Sequence, residues 1–195
     1  MKKLLFIDAC ISTHDSRTKK LCDAYINKFM EKNPDYELET VTLRAGFCEP
    51  WTRERLIERD GYIAEKDWNH PMFDLPKQYK AADHIVIGTP YWDLSFASIL
   101  KVYIENIMVG DLTFGITTDG YQGLCNGKMM TYITTAGGFI GNKNLGYEYM
   151  QAIADMTGIN NTEFFSAEGL DIVGFDVEGA VKKAITEIES SVVEE

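Results

Sequence analysis

Several things are scarce in this chain, and each scarcity removes a class of protein. There are four cysteines, Cys10, Cys22, Cys48 and Cys125, far apart in the sequence and without a C-x-x-C pair. That spacing argues against a disulfide framework and against a zinc or iron–sulfur site, and it suits reduced thiols in the cytoplasm. Positive charge is in deficit: 19 Lys and Arg stand against 30 Asp and Glu, a net charge of −11, with no local basic patch. Nucleic acid and anionic membranes are therefore not expected partners. No apolar run is long enough to span a bilayer. The opening Met1–Cys10 has the look of a leader, but its apolar stretch is only Leu4 to Ile7 and Asp8 breaks it. A first β-strand accounts for those residues better. Neither G-x-G-x-x-G nor G-x-x-x-x-G-K-[ST] occurs, which argues against a dinucleotide fingerprint and a P-loop NTPase. Repeats, low-complexity segments and interdomain linkers are also missing.

What is present is ordinary in amount and informative in order. The 195 residues are 45% hydrophobic and 25% charged, enough for one sizeable core. Apolar periodicity predicts strands at Lys3–Asp8, Glu37–Leu43, Ile85–Ile87, Lys128–Thr135 and Thr162–Ala167. It predicts helices at Ser16–Lys32, at the end of the segment Lys77–Ala82, through Ile99–Ile107, at Leu145–Thr157 and at Val177–Val193. Strands that alternate with helices predict a doubly wound α/β domain, with a five-stranded parallel sheet in the order 2-1-3-4-5 and helices on both faces. The segment 44–82 reads as an insertion: a charged helix-like stretch at Thr52–Glu58, then Pro71 and Pro76 among large aromatics. Trp51, Trp68 and Phe73 are many for a free surface loop, and either line an interface, roof a ligand or pack a core.

Ligands of open α/β sheets sit beyond the carboxyl ends of the strands. Three loops leave that edge here. Ala9–Thr18 follows the first strand, is rich in hydroxyls, and places Ser16 at a helix start. There Ser16 either only caps the helix or also meets a phosphate, since a helix N-terminus offers free N–H groups and partial positive charge. Thr89-Pro-Tyr-Trp-Asp-Leu94 follows the third strand. It offers flat aromatic surface to a flat ligand, or is a packed turn capped by Ser95. Thr134-Thr-Ala-Gly-Gly-Phe139 follows the fourth, and its glycines allow either close backbone approach to a ligand or a strained turn. Convergence of the three outweighs any one motif. Among the histidines, His14 lies near the phosphate end as a surface or supporting residue, and His70 and His84 have no evident partners.

Together, Pro90-Tyr-Trp-Asp-Leu-Ser95 with its downstream helix, Asp111-Leu-Thr-Phe-Gly115, Gly120–Lys128, Thr134–Gly138 and Ala167-Glu-Gly169 resemble the FMN-dependent NAD(P)H:quinone oxidoreductases and azoreductases. The resemblance covers nearly the whole chain and keeps the loop order. It implies a flavodoxin-like fold, one non-covalent FMN per chain rather than FAD, and NAD(P)H as co-substrate. It also implies a small-molecule quinone or azo acceptor, two-electron ping-pong turnover, and a homodimer with each site at the subunit interface. By the same resemblance, Cys10, Ser16, Arg17 and Thr18 hold the FMN phosphate. Pro90, Tyr91, Trp92, Asp93 and Leu94 lie against the isoalloxazine ring, and Thr135, Ala136, Gly137 and Gly138 meet its pyrimidine edge. The chain departs from the family pattern, which usually has serine at Cys10, Met-Tyr-Asn-Phe where Tyr91-Trp92-Asp93-Leu94 stand, and often arginine at Ala136; Trp92 for tyrosine keeps a flat face. Asp93 in place of asparagine disfavours negative charge on the reduced ring if its side chain faces that ring. No side chain is required as a general acid. Two other readings remain: a flavodoxin-type electron carrier for protein partners, and a nucleotide-binding or interaction domain without flavin.

Overall fold

The computed structural model describes residues 1–11 and 15–194. Five strands form the central sheet: β1 (Lys2–Asp8), β2 (Tyr36–Thr42), β3 (His84–Trp92), β7 (Met129–Thr135) and β8 (Asn161–Ala167). They are parallel and run in the order β2-β1-β3-β7-β8, which is 2-1-3-4-5 by position in the chain. A two-residue strand, β4 (Ser95–Phe96), folds back antiparallel on β3. A separate hairpin joins β5 (Phe114–Thr117) to β6 (Gly120–Gly123).

The alternation of side chains along β1 explains the layers. Leu4 and Phe6 face one side, with Val86 and Ile133, and meet Leu21, Tyr25 and Phe29 of α1 (Arg17–Lys32) and Ile188 of α6 (Val177–Ser191). Leu5 and Ile7 face the other side, with Ile85, Ile87 and Met130. They pack on α3 (Asp74–Ala81), α4 (Ser98–Ile107) and α5 (Leu145–Thr157). A sheet buried on both faces needs near-continuous apolar strands, which is what β1 and β3 supply. Truncating a fully buried Phe29 or Ile85 to Ala would cost about 2–5 kcal/mol. Gly158 ends α5 as expected, with φ 90° in the left-handed region.

The segment 44–82 is more ordered than its sequence suggested. α2 spans Arg53–Glu65, well beyond Glu58, with Thr52 accepting the Arg55 N–H as its cap. Pro76 does not break structure; it sits in the first turn of α3, where a missing N–H costs nothing. Trp68 and the fully buried Phe73 stack edge to face and build a small third core with Val109 and Leu112. The packing alternative therefore holds for those two rings. Trp51 instead carries the guanidinium groups of Arg55 and Arg59 over its ring, and its indole N–H donates to the Glu105 carbonyl at 3.0 Å. His70 and His84, which looked isolated, both have partners. His70 accepts the Met72 N–H and stacks on Tyr62. His84 is buried with Tyr25, Thr131 and Glu163 in one hydrogen-bonded cluster.

Candidate functional site

The third strand runs further than its apolar run implied. β3 continues through Trp92 and turns at Asp93-Leu94 into β4, with Trp92 opposite Ser95. Ser95 is thus a strand residue and caps no helix; α4 begins at Ser98 after Ala97. Asp93 and Leu94 both have positive φ, 49° and 68°, as a two-residue hairpin of this hand requires. Aspartate tolerates that region, but leucine does not, and Leu94 stores about 1–2 kcal/mol of strain there. Being on a strand also settles which way the aromatics face. Pro90 and Trp92 line a cleft, and Tyr91 between them points to the other side, where its hydroxyl donates to the Lys143 carbonyl at 2.8 Å.

That cleft, about 590 Å³, lies at the carboxyl edge of the sheet. It gathers Cys10, Ser16, Arg17 and Thr18 from the first loop, Pro90 and Trp92 from the second, and Thr135 from the third. Asp93, Leu94, Ala136, Gly137 and Gly138 stand beside it and do not line it. Ser12, Thr13 and His14 of the first loop lie outside the described residues, so the place given to His14 has no structural counterpart.

The phosphate end is built from the start of α1. Ser16 caps the helix by accepting the Lys19 N–H at 3.2 Å. The Thr18 hydroxyl is 2.6 Å from that of Thr135, tying the first loop to the third. Cys10 presents only its thiol, because its backbone N–H donates to Asp8 Oδ1 at 3.0 Å. Behind it, burial pushes the Cys22 thiol well above its usual range, with Cys10 as its hydrogen-bond partner. Trp92 is half exposed and offers an open indole face to the cleft.

A fourth loop, after β8, closes the site and was not foreseen. Asp171 lines the cleft and accepts from Arg17 Nη1 at 3.1 Å, and the same nitrogen donates to the Leu170 carbonyl. Asp171 also donates its N–H to the Gly137 carbonyl, and its carboxylate occupies the space where a Gly137 Cβ would stand, 2.3 Å from Oδ2. A side chain at Gly137 would displace the exposed Asp171 carboxylate, whereas Gly138 has open space. Among the described residues, the N–H groups of Gly137 and Gly138 have no backbone acceptor and remain available to a ligand. Ile11 and Asp15 also line the cleft. The signal for Asp171 was its position: it follows Ala167-Glu168-Gly169 at the same sheet edge as the other three loops.

A family model described as a flavodoxin-like fold matches residues 2–192. The chain belongs to this flavodoxin-like family. Among relatives of the flavodoxin-like chain, an FMN-dependent NADH:quinone oxidoreductase of Clostridium perfringens is 32% identical over 188 residues, covering 95% of each chain. An FMN-dependent NADH:quinone oxidoreductase 2 of Clostridium acetobutylicum is 33% identical over 194 residues, again covering 95% of each. Among solved structures, an azoreductase from Bacillus anthracis str. Sterne superposes with TM-score 0.85 at 19% identity, covering 98% of this chain and 99% of that one. An FMN-dependent NADH-azoreductase from Bacillus anthracis str. Ames Ancestor, in complex with FMN, has TM-score 0.83 at 24% identity and covers 98% of both. At such identities the two structures speak for the fold.

Proposed function

We propose that this chain is an FMN-dependent oxidoreductase that takes two electrons from NADH, or NADPH, and passes them to quinones and to azo or nitro compounds in a ping-pong cycle. The observation that carries this reading is the cleft where a capped helix N-terminus, clustered hydroxyls and an open indole face meet at the carboxyl edge of the sheet. Its volume and its mixed polar and aromatic lining suit a flavin mononucleotide. A single anion-binding loop, with no pyrophosphate glycine motif, favours FMN over FAD. When bound, FMN supplies hydride acceptance and two-electron transfer.

The chain's own residues bind and orient. Ser16, Arg17 and Thr18, with the Cys10 thiol beside them, hold the phosphate. Pro90 and Trp92 form the wall for the ring, the strained Asp93-Leu94 turn closes the strand beside it, and Tyr91 anchors that wall to the loop after β7. Of the four residues set at the pyrimidine edge, Thr135 lines the cleft, Ala136 is buried behind it, and the N–H groups of Gly137 and Gly138, without a backbone acceptor among the described residues, stabilise negative charge there. The flat face of Trp92 receives planar donors and acceptors in turn. The electron-carrier alternative is not favoured, because the relatives that span the same length are named as oxidoreductases.

The chain acts as one FMN-binding unit, with 44–82 as an insertion beside it, and pairs as a homodimer. The exposed Ile116 and Tyr121 on the β5–β6 hairpin offer apolar surface for that pairing. Four free thiols suit a cytoplasmic setting, and no helix among the described residues is long and apolar enough to cross a membrane. The test is purification without added flavin, a visible spectrum, acid extraction of the cofactor, and turnover of NADH with menadione and an azo dye. FMN and turnover are expected. Extracted FAD, or no flavin bound after reconstitution with FMN, would refute the reading.

A further inference from the structure

The anion-binding end of the cleft has a buried carboxylate for a neighbour. Asp8, at the carboxyl end of β1, is 4% exposed, and its Oδ1 accepts the Cys10 N–H. It lines a second pocket that shares Cys10, Asp15 and Ser16 with the cleft. A dianion placed at Ser16 would be repelled by that charge, and burial leaves little water to screen it.

The described residues around this pocket balance. Lys20 pairs with Asp15 at 2.7 Å and Lys19 with Asp23, both on or next to α1. The third cation, Arg44, follows β2 on the next strand and sets its Nη2 3.7 Å from Asp8 Oδ2. Its Nη1 donates to the Leu43 carbonyl at 2.7 Å, which fixes the guanidinium in place. In the two lysine pairs both partners are partly exposed and screened, and Arg44 is half exposed as well. Asp8 is not, so the charge that matters to the anion is the one Arg44 answers.

We propose that Arg44 is a positioning residue for the flavin phosphate. By neutralising Asp8, it lets a buried carboxylate hold the Cys10 N–H, and so shape the first loop, without expelling the anion. This rests on the reading that the phosphate lies at Ser16 and Thr18.

The test uses the full chain freed of flavin, titrated by fluorescence with FMN and with riboflavin, which lacks the phosphate. Arg44→Gln should weaken FMN by about tenfold and leave riboflavin unchanged, with the loss shrinking in high salt. Arg44→Lys should recover most of the affinity. Asp8→Asn keeps the Oδ1 acceptor and removes the charge, so adding it to Arg44→Gln should restore FMN binding. Equal losses for FMN and riboflavin would overturn the proposal, as would a double variant still as weak as Arg44→Gln, which would mean direct contact with the phosphate. The Ser16→Ala/Thr18→Ala variant separates the premises. If it keeps the preference for FMN over riboflavin, the phosphate lies elsewhere and both readings fall. If it loses that preference and Arg44→Gln does not, only the role of Arg44 falls.

Discussion

Gly88 is the position where the sheet, the helix layer and the cleft depend on one missing methyl group. A Cβ there would stand 2.4 Å from Cys22 Sγ, 3.3 Å from Phe6 Cε2 and 3.5 Å from Cys10 Sγ. Gly88 cannot retreat, because its backbone is paired with Asp8 on one side and Ile133 on the other. Relief must come from the Cys22 sulfur turning aside within a fully buried core, or from α1 moving outward with it. Overpacking costs about 1–3 kcal/mol, and a fixed backbone puts Gly88→Ala at the top of that range, about 3 kcal/mol. With a urea m-value of about 2 kcal/mol/M, the unfolding midpoint should fall by about 1.5 M. Cys22→Ala removes the clashing sulfur at a cost of about 1 kcal/mol by itself. Together the two changes should lie within about 1 kcal/mol of the starting protein, a coupling of about 3 kcal/mol. Urea denaturation of the four flavin-free variants measures this, and FMN titration reads the companion effect of a displaced Cys10. An unchanged midpoint for Gly88→Ala, or no rescue by Cys22→Ala, would refute the packing argument.

Four further outcomes are expected. Ser16→Ala with Thr18→Ala removes two hydroxyl donors to an anion, worth about 1–3 kcal/mol each, so FMN affinity by fluorescence titration should fall at least tenfold. Ser16→Asp separates the roles, since it keeps a helix cap while repelling phosphate: thermal stability should hold and affinity should drop. Trp92→Ala should lower kcat/KM for quinones and dyes in steady-state assays while FMN stays bound, because the phosphate end is anchored on other loops. Burial pushes the Cys125 thiol up to about 12, whereas an unfolded cysteine titrates near 8.5. Its contribution to stability is therefore complete below about pH 8.5 and lost as pH rises toward about 12, and Cys125→Ala should flatten that alkaline slope in denaturant midpoints.

Much of the fold was legible because its periodicities are strong. Leu4/Phe6 against Leu5/Ile7 marks a strand buried on both faces, and Leu21, Tyr25 and Phe29 mark the buried side of α1. The β5–β6 hairpin was missed because its glycines and threonines carry little apolar pattern. Its one clear signal was Asp119-Gly120 at the turn, a dipeptide suited to hairpins. The end of β3 was misplaced because Gly88 and Pro90 read as breakers. Gly88 is there for packing against two sulfurs, and Pro90 sits near the strand's end, where a lost ladder bond matters least. No local rule predicts Leu94 in the left-handed region; only the closing of β3 onto β4 forces it.

At the cleft, the sequence offered two readings of each hydroxyl as though they competed, and hydrogen-bond counting shows that they coexist. A serine hydroxyl has one proton to donate and two lone pairs to accept with. Ser16 caps α1 by accepting the Lys19 N–H, so its own proton is still free for an anion. Thr18 and Thr135 share one hydrogen bond at 2.6 Å, in which either can be the donor. One proton of that pair is used, and one is left over. Among the described residues, the cleft thus keeps two hydroxyl protons beside a helix N-terminus, and an anion can bind them without dismantling the cap or the tie between loops. Arg17 differs: its Nη1 already serves Asp171 and Leu170, so only its remaining N–H groups can reach a phosphate. The hydroxyls, more than the arginine, should therefore set the affinity. On that argument Arg17→Gln should weaken FMN less than Ser16→Ala/Thr18→Ala in the same fluorescence titration, and the reverse order would show that the guanidinium leaves Asp171 when the anion arrives.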